Sequence, residues 1–168
     1  SGRPDDVVDR IRRRALELEP TIIEDRRTFH RYPEVGGHEY VISDAICDYL
    51  AKLGIPFKRV ADTGIIATIA GAASDAYGSD GNPRARIALR SDMDGLPVTE
   101  RTEVDYASVN EGCMHACGHD CHIAMQLGAA RILNEMRDEL HGEVRLLFQP
   151  AEEISIGARK MIAAGALD

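Results

Sequence analysis

Apolar positions recur along this chain with two different periods, and the elements change where the period changes. Between residues 5 and 31, Val7, Val8, Ile11, Ala15, Leu18, Ile22 and Ile23 return every three or four positions among charged residues, which is the spacing of one helical face. Pro20 lies inside this stretch and is expected to kink or divide it, because proline brings no N–H and crowds the preceding turn. After RYPEVGG, the positions Val41, Ile42, Ala45, Ile46, Tyr49 and Leu50 predict a second helix over 39–53. Gly54 stops it by taking the left-handed backbone of a helix cap. Strands are predicted over 55–60 and 64–70, the second being the β-branched run GIIATIA. Segment 71–84, rich in Gly, Ser, Asp and Pro, reads as an exposed loop and as the one candidate for local disorder.

The second half repeats the alternation. RIALR, 86–90, reads as a short buried strand that runs into SDMDGLP, so Asp92 and Asp94 leave its C-terminal end. Ile123, Leu127, Ala130, Leu133, Met136 and Leu140 predict an amphipathic helix over 122–140, ended by Gly142. EVRLLFQ, 143–149, is a further strand, closed by Pro150 and followed at once by Ala151, Glu152 and Glu153. A last helix is expected over 158–164. Helices alternating with strands make the fold class α/β. In open sheets of this class, ligands bind outside the carboxyl ends of the strands.

Composition narrows the function. At 168 residues and 44% hydrophobic, the chain is long enough for one core. Twenty Lys and Arg against 28 Asp and Glu give a charge of −8, so neither nucleic acid nor an anionic membrane is an expected partner. A small molecule or peptide is. The run Arg12, Arg13, Arg14 alternates with acids and reads as a solvated helix face. No apolar run of 18 residues exists, and SGRPDDVVDR lacks the apolar segment of a signal peptide; the expected location is cytoplasmic. Of the four cysteines, three fall within nine residues, too close together for a disulfide scaffold. Cys47, alone in an apolar pattern, reads as a small core residue.

The crowding itself carries chemistry. In CMHACGHDCH, Cys113, His115, Cys117, His119, Cys121 and His122 fall within ten positions, and thiolate and imidazole are the side chains that best hold a borderline-soft divalent metal. If the strands share one sheet, this loop, the pair Asp92 and Asp94, and the pair Glu152 and Glu153 all meet at one edge. Thiolate, imidazole and carboxylate ligands with an acid to spare are the parts of metal-assisted hydrolysis.

At these residues the sequence resembles a known family. MHACGHDCHIAM, ALRSDMDGLPVTE, LLFQPAEE and RRTFHRYPEVGGHE together, running in the family's order from about residue 25 to the end, are similar to the N-terminal part of the M20 metallopeptidases, in the amidohydrolase branch of hippurate hydrolases, N-acyl amino acid amidohydrolases and indole-3-acetyl amino acid hydrolases. The resemblance implies a zinc-aminopeptidase-like three-layer α/β sandwich, a central mixed sheet flanked by helices. It also implies two divalent metal ions per complete site, zinc, manganese or cobalt. On it, Cys117, His119 and Glu153 match metal ligands, Cys117 as the bridging one; Glu152 matches the general base, and Asp94 an acid that supports the site. The implied reaction is hydrolysis of the amide bond of N-acyl amino acids or small peptide-like conjugates by a metal-activated water, releasing a carboxylic acid and an amino acid.

His115, His122, Cys113 and Cys121 match no ligand of the family; hydrogen bonding behind the ligands, or packing, is expected for the two histidines. His30 is expected to cap a helix end and Asp92 to bond backbone amides. The family's two further metal-binding histidines and its inserted dimerisation domain lie downstream, yet no histidine follows His141. Residues 1–168 are therefore expected to be the N-terminal portion of the catalytic domain, weakly active or inactive alone, from a full-length homodimer. Two other readings stay open. Residues 113–122 could wrap one structural zinc ion, or Cys117 could act as a nucleophile with a histidine partner.

Overall fold

The computed structural model describes residues 4–168. Its elements are α1 (Pro4–Arg31), α2 (Tyr40–Lys52), β1 (Phe57–Val60), β2 (Gly64–Ala70), β3 (Arg86–Asp92), α3 (His119–Glu135), β4 (Glu143–Gln149) and α4 (Gly157–Ala163), with a short 3₁₀ turn at Arg137–Glu139. The strands form one mixed sheet of order β1-β2-β4-β3. β2 pairs antiparallel with both β1 and β4, while β3 lies parallel to β4 with Asp92 opposite Gln149.

Alternation along β2 and β4 sorts side chains between two layers. Ile65, Ala67, Ile69, Val144, Leu146 and Phe148 join Phe29, Ile42, Ile46, Cys47, Leu50, Ile123, Leu127 and Ala130 in the main core, on the side of α1, α2 and α3. Ile66 and Leu147 face the other way, against Met161 of α4 and Ala166. The result is a sheet between helices, an α/β sandwich. Each fully buried Ile, Leu or Phe in it contributes about 1.5–3 kcal/mol.

Four expectations need correction. Pro20 does not divide the first helix, which runs unbroken through it. α1 is held on both sides of the proline by α3: Gly128 admits the Ile22 side chain so closely that a β-carbon there would lie 2.7 Å from its Cδ1. Nearer the start of α1, Arg14 bonds Glu135 at 2.7 and 2.8 Å and Arg10 bonds Glu139 at 2.8 and 2.5 Å. Packing along the whole helix outweighs the one main-chain bond that proline forfeits.

RIALR is a strand but not a buried one. β3 is an edge strand, and Arg86, Ile87 and Ala88 are exposed. Nor is 71–84 a free loop: Gly71 and Ala72 donate backbone bonds to Gly142 and Arg137, Tyr77 bridges Pro83, and Ala76 is fully buried. The third helix begins at His119, earlier than its apolar pattern suggests, and gives way to the 3₁₀ turn before Leu140. Gly54 caps α2 with φ +68°, as the sequence predicts, and in the arginine run Arg12 and Arg13 are exposed while Arg14 is half-buried in its bonds to Glu135. Cys47 lies in the core. Among the described residues no helix is long and apolar enough to cross a membrane.

Candidate metal centre

Three segments reach one edge of the sheet. β3 ends at Asp92 and passes into Met93 and Asp94; β4 ends at Gln149 and passes through Pro150 and Ala151 to Glu152 and Glu153; α3 starts at His119 after Cys117 and the left-handed Gly118, φ +85°. The parallel pairing of β3 with β4 is what sets these ends side by side.

His119 stands at the middle. It is 2% exposed, and its Nδ1 lies 2.8 Å from the Asp94 carbonyl oxygen. A carbonyl only accepts, so Nδ1 carries a proton and Nε2 is the ring nitrogen left to serve a cation. Nε2 points among carboxylates, 3.6 Å from Asp92, 3.8 Å from Glu152 and 3.7 Å from Glu153. The Asp94 side chain, also buried, accepts the Glu153 backbone N–H at 2.9 Å. One residue thus orients both an imidazole and the turn that carries an acid.

Among the described residues, two groups have ligand atoms within 4.8 Å of one another: Cys117 with His119 and Glu153, and Asp92 with His119 and His122. They compete, because His119 Nε2 has a single lone pair to give. In the second group the Asp92 oxygens are already engaged, one by Arg90 at 2.8 Å and the other by His122 Nδ1 at 2.6 Å. In the first group, Glu153 Oε1 is buried and has no hydrogen-bond partner. An orphaned carboxylate oxygen beside a thiol and an imidazole lone pair is a donor set that fits a divalent cation. The first group therefore suits a metal better than the second.

Electrostatics agree. The Glu153 carboxylate next to it, then burial and the charges of Glu153, Glu152 and Asp92, raise the Cys117 thiol above its ordinary value. A nucleophilic cysteine needs the opposite shift. Burial works against a charged His119, but Asp94 and Asp92 overcome it and raise the imidazole. Burial likewise opposes the Asp94 charge, yet bonds from His119 and from the Glu153 and Glu152 amides lower its carboxyl. The edge is a concentration of negative charge that calls for a cation.

The remaining histidines and cysteines take other places. Cys113 is buried and Cys121 lies beside Arg26; neither belongs to the two groups. His122 pairs with Asp92, which engages side chains and not the backbone amides expected for it. His115 is buried with neither ring nitrogen bonded, and burial lowers its pKa to about 4. His30 does not bond helix carbonyls: it bridges two carboxylates, Asp120 at 2.8 Å and Glu100 at 3.0 Å. No spacing in the sequence signals these last pairings, since their partners are 90 and 70 residues away.

Residues 88–168 match the sequence profile described as Peptidase family M20/M25/M40. Thermostable carboxypeptidase 1 of Saccharolobus solfataricus is 40% identical over 97% of this chain and 40% of its own length. The N-acetyl-L-cysteine deacetylase of Bacillus subtilis is 47% identical over 90% of this chain and 34% of its own. Among solved structures, the YXEP protein of Bacillus subtilis, described as a dinuclear metal binding peptidase from the M20 family, superposes with a TM-score of 0.81 at 41% identity, covering 90% of this chain and 41% of that one. The chain spans about 40% of the length of such relatives. From the Cys-Gly-His loop to the paired glutamates, the chain belongs to the M20 peptidase family.

Proposed function

We propose that these residues form the N-terminal half of a metal-dependent amidohydrolase centre that hydrolyses N-acyl amino acids or small peptide-like conjugates. The observation that carries this reading is the buried, unpartnered Glu153 Oε1 beside Cys117 and His119. Cys117, His119 and Glu153 would hold the metal, and Asp94 keeps His119 and the Glu153 amide in position. Bound divalent ions polarise an amide carbonyl and lower the pKa of water to about 7. Thiolate with imidazole suits zinc, while the carboxylates admit manganese or cobalt. The similarity to a dinuclear metal binding peptidase supports two ions per complete site.

Glu152 is the proton carrier of this reading. Its side chain is 39% exposed against 21% for Glu153, so it faces the side from which substrate and water arrive. It takes a proton from water as the water oxygen adds to the amide carbon. When the C–N bond breaks it returns that proton to the departing amine, leaving a carboxylic acid and an amino acid. The name of the Bacillus subtilis N-acetyl-L-cysteine deacetylase supports an N-acylated amino acid as the substrate class. Free cysteines throughout suit a reducing compartment such as the cytoplasm, and the inserted domain of full-length relatives is the proposed dimer contact.

The nucleophile reading loses ground because the Cys117 thiol is raised, and the structural-zinc reading because Cys113 and Cys121 stand outside both ligand groups. Cobalt titration separates the three. The thiolate-to-cobalt absorption develops in the unsubstituted chain and is abolished in Cys117→Ser, while Cys113→Ser keeps it. An undiminished band in Cys117→Ser, or no cobalt binding by a chain of the relatives' full length, would reject the metal-centre reading.

A further inference from the structure

We infer that Glu39 is a positioning residue for the acid pair: its buried carboxylate holds the turn after β4 in the shape that presents Glu152 and Glu153 to Cys117 and His119. The inference rests on the metal-centre reading and adds to it a role for the motif YPEVGGHE, which no ligand or base explains.

Glu39 is fully buried, just ahead of α2. Oε1 accepts the Ala151 backbone N–H at 2.6 Å, while Oε2 accepts the Gly37 N–H at 3.0 Å and the Thr63 hydroxyl at 2.8 Å. Ala151 has φ +50°, a left-handed conformation that a residue with a β-carbon avoids and holds only when its surroundings fix it. Two residues on, Asp94 Oδ2 accepts the Glu153 N–H. Two buried carboxylates thus grip the amides that flank Glu152.

The fit is tight. A β-carbon at Gly36 would lie 3.0 Å from Asp94 Oδ2 and 3.3 Å from the Ala151 Cα, so the glycine lets the YPEVGGHE turn lie directly on the acid turn. A carboxylate is the right group at position 39, because all three of its neighbours donate and it has only acceptors to offer. Glutamine would set an N–H₂ against one of those donors. Burying a carboxylate costs stability unless its bonds do specific service. Here the service is the geometry of the acids.

The test uses Glu39→Gln in the full chain, with Glu153→Ala and the double variant beside it. In the metal-free chain, amide exchange at Ala151 and Glu153 is expected to accelerate about tenfold over that of the β4 amides in Glu39→Gln. Glu153 matters most here, since its amide bonds Asp94 and not Glu39. Cobalt affinity is expected to fall about tenfold, the size of effect seen when a partner that orients a ligand is lost. The double variant should bind cobalt no more weakly than Glu153→Ala, because Glu39 acts through that ligand. Cobalt affinity equal to that of the unsubstituted chain, or a double variant weaker by the full Glu39 factor, overturns the inference. If a chain of the relatives' full length binds no cobalt, the metal reading fails by itself. Exchange then still decides on Glu39, and unchanged protection at 151 and 153 rejects it.

Discussion

At the residue scale, neighbouring acids in one motif are made different by what surrounds them. Glu153 is the more buried of the pair, with its amide held by Asp94 and one carboxylate oxygen left without a partner. Glu152 is more open, its side chain 39% exposed. In a chain of the relatives' full length, Glu152→Gln is expected to lower kcat about 10²–10⁴-fold, the range for loss of a general base, and to leave metal content unchanged. Steady-state kinetics with elemental analysis checks both halves; loss of metal together with activity would make Glu152 a ligand instead. Cys117, His119, Glu152 and Glu153 stand out in the sequence as candidates because each sits in a short motif that resembles one of the family's. Glu39 does not, because its bond to Ala151 spans 112 positions and a single glutamate has no pattern.

At the element scale, close approach decides where side chains are allowed. The turn after β4 returns on itself so that the Gly157 amide donates to the Ala151 carbonyl at 3.2 Å. A β-carbon on Gly157 would lie 1.5 Å from the Pro150 carbonyl oxygen, a backbone atom that cannot step aside. Gly157→Ala is therefore expected to destabilise the chain by about 1–3 kcal/mol, read as a lower urea midpoint with little change in slope. Periodicity found α2, β2 and β4 nearly to the residue, because their apolar positions report which face meets the core. It misjudged Pro20 and β3 for the same reason. Whether a helix survives a proline, or a strand lies at an edge, depends on neighbours that the local pattern does not contain.

At the scale of the whole molecule, the long segment between β3 and α3 is tied down through Glu100. Its carboxylate accepts the Ser108 amide at 2.6 Å and the Thr102 hydroxyl at 2.5 Å and meets His30 of α1, whose other nitrogen reaches Asp120 in α3. Burial alone would raise the Glu100 carboxyl, but the Ser108, Thr102 and His30 bonds bring it down from 4.5 to about 2. A carboxyl lowered in the folded state stabilises it at pH values above 4.5, and that contribution is lost as pH falls from 4.5 towards 2. Acid unfolding followed by circular dichroism is expected to lose this slope in Glu100→Gln; an unchanged profile would remove Glu100 from the account. By itself the sequence determined the α/β class, most of the elements and the chemical inventory of the site, because hydrophobic period and residue type are local properties. Only the tertiary structure decided which donors meet. Parallel pairing of β3 with β4 sets the acids beside His119, and the carboxylates of Glu39, Asp94 and Glu100 bond groups from distant segments that come within reach only once the sheet and helices have packed.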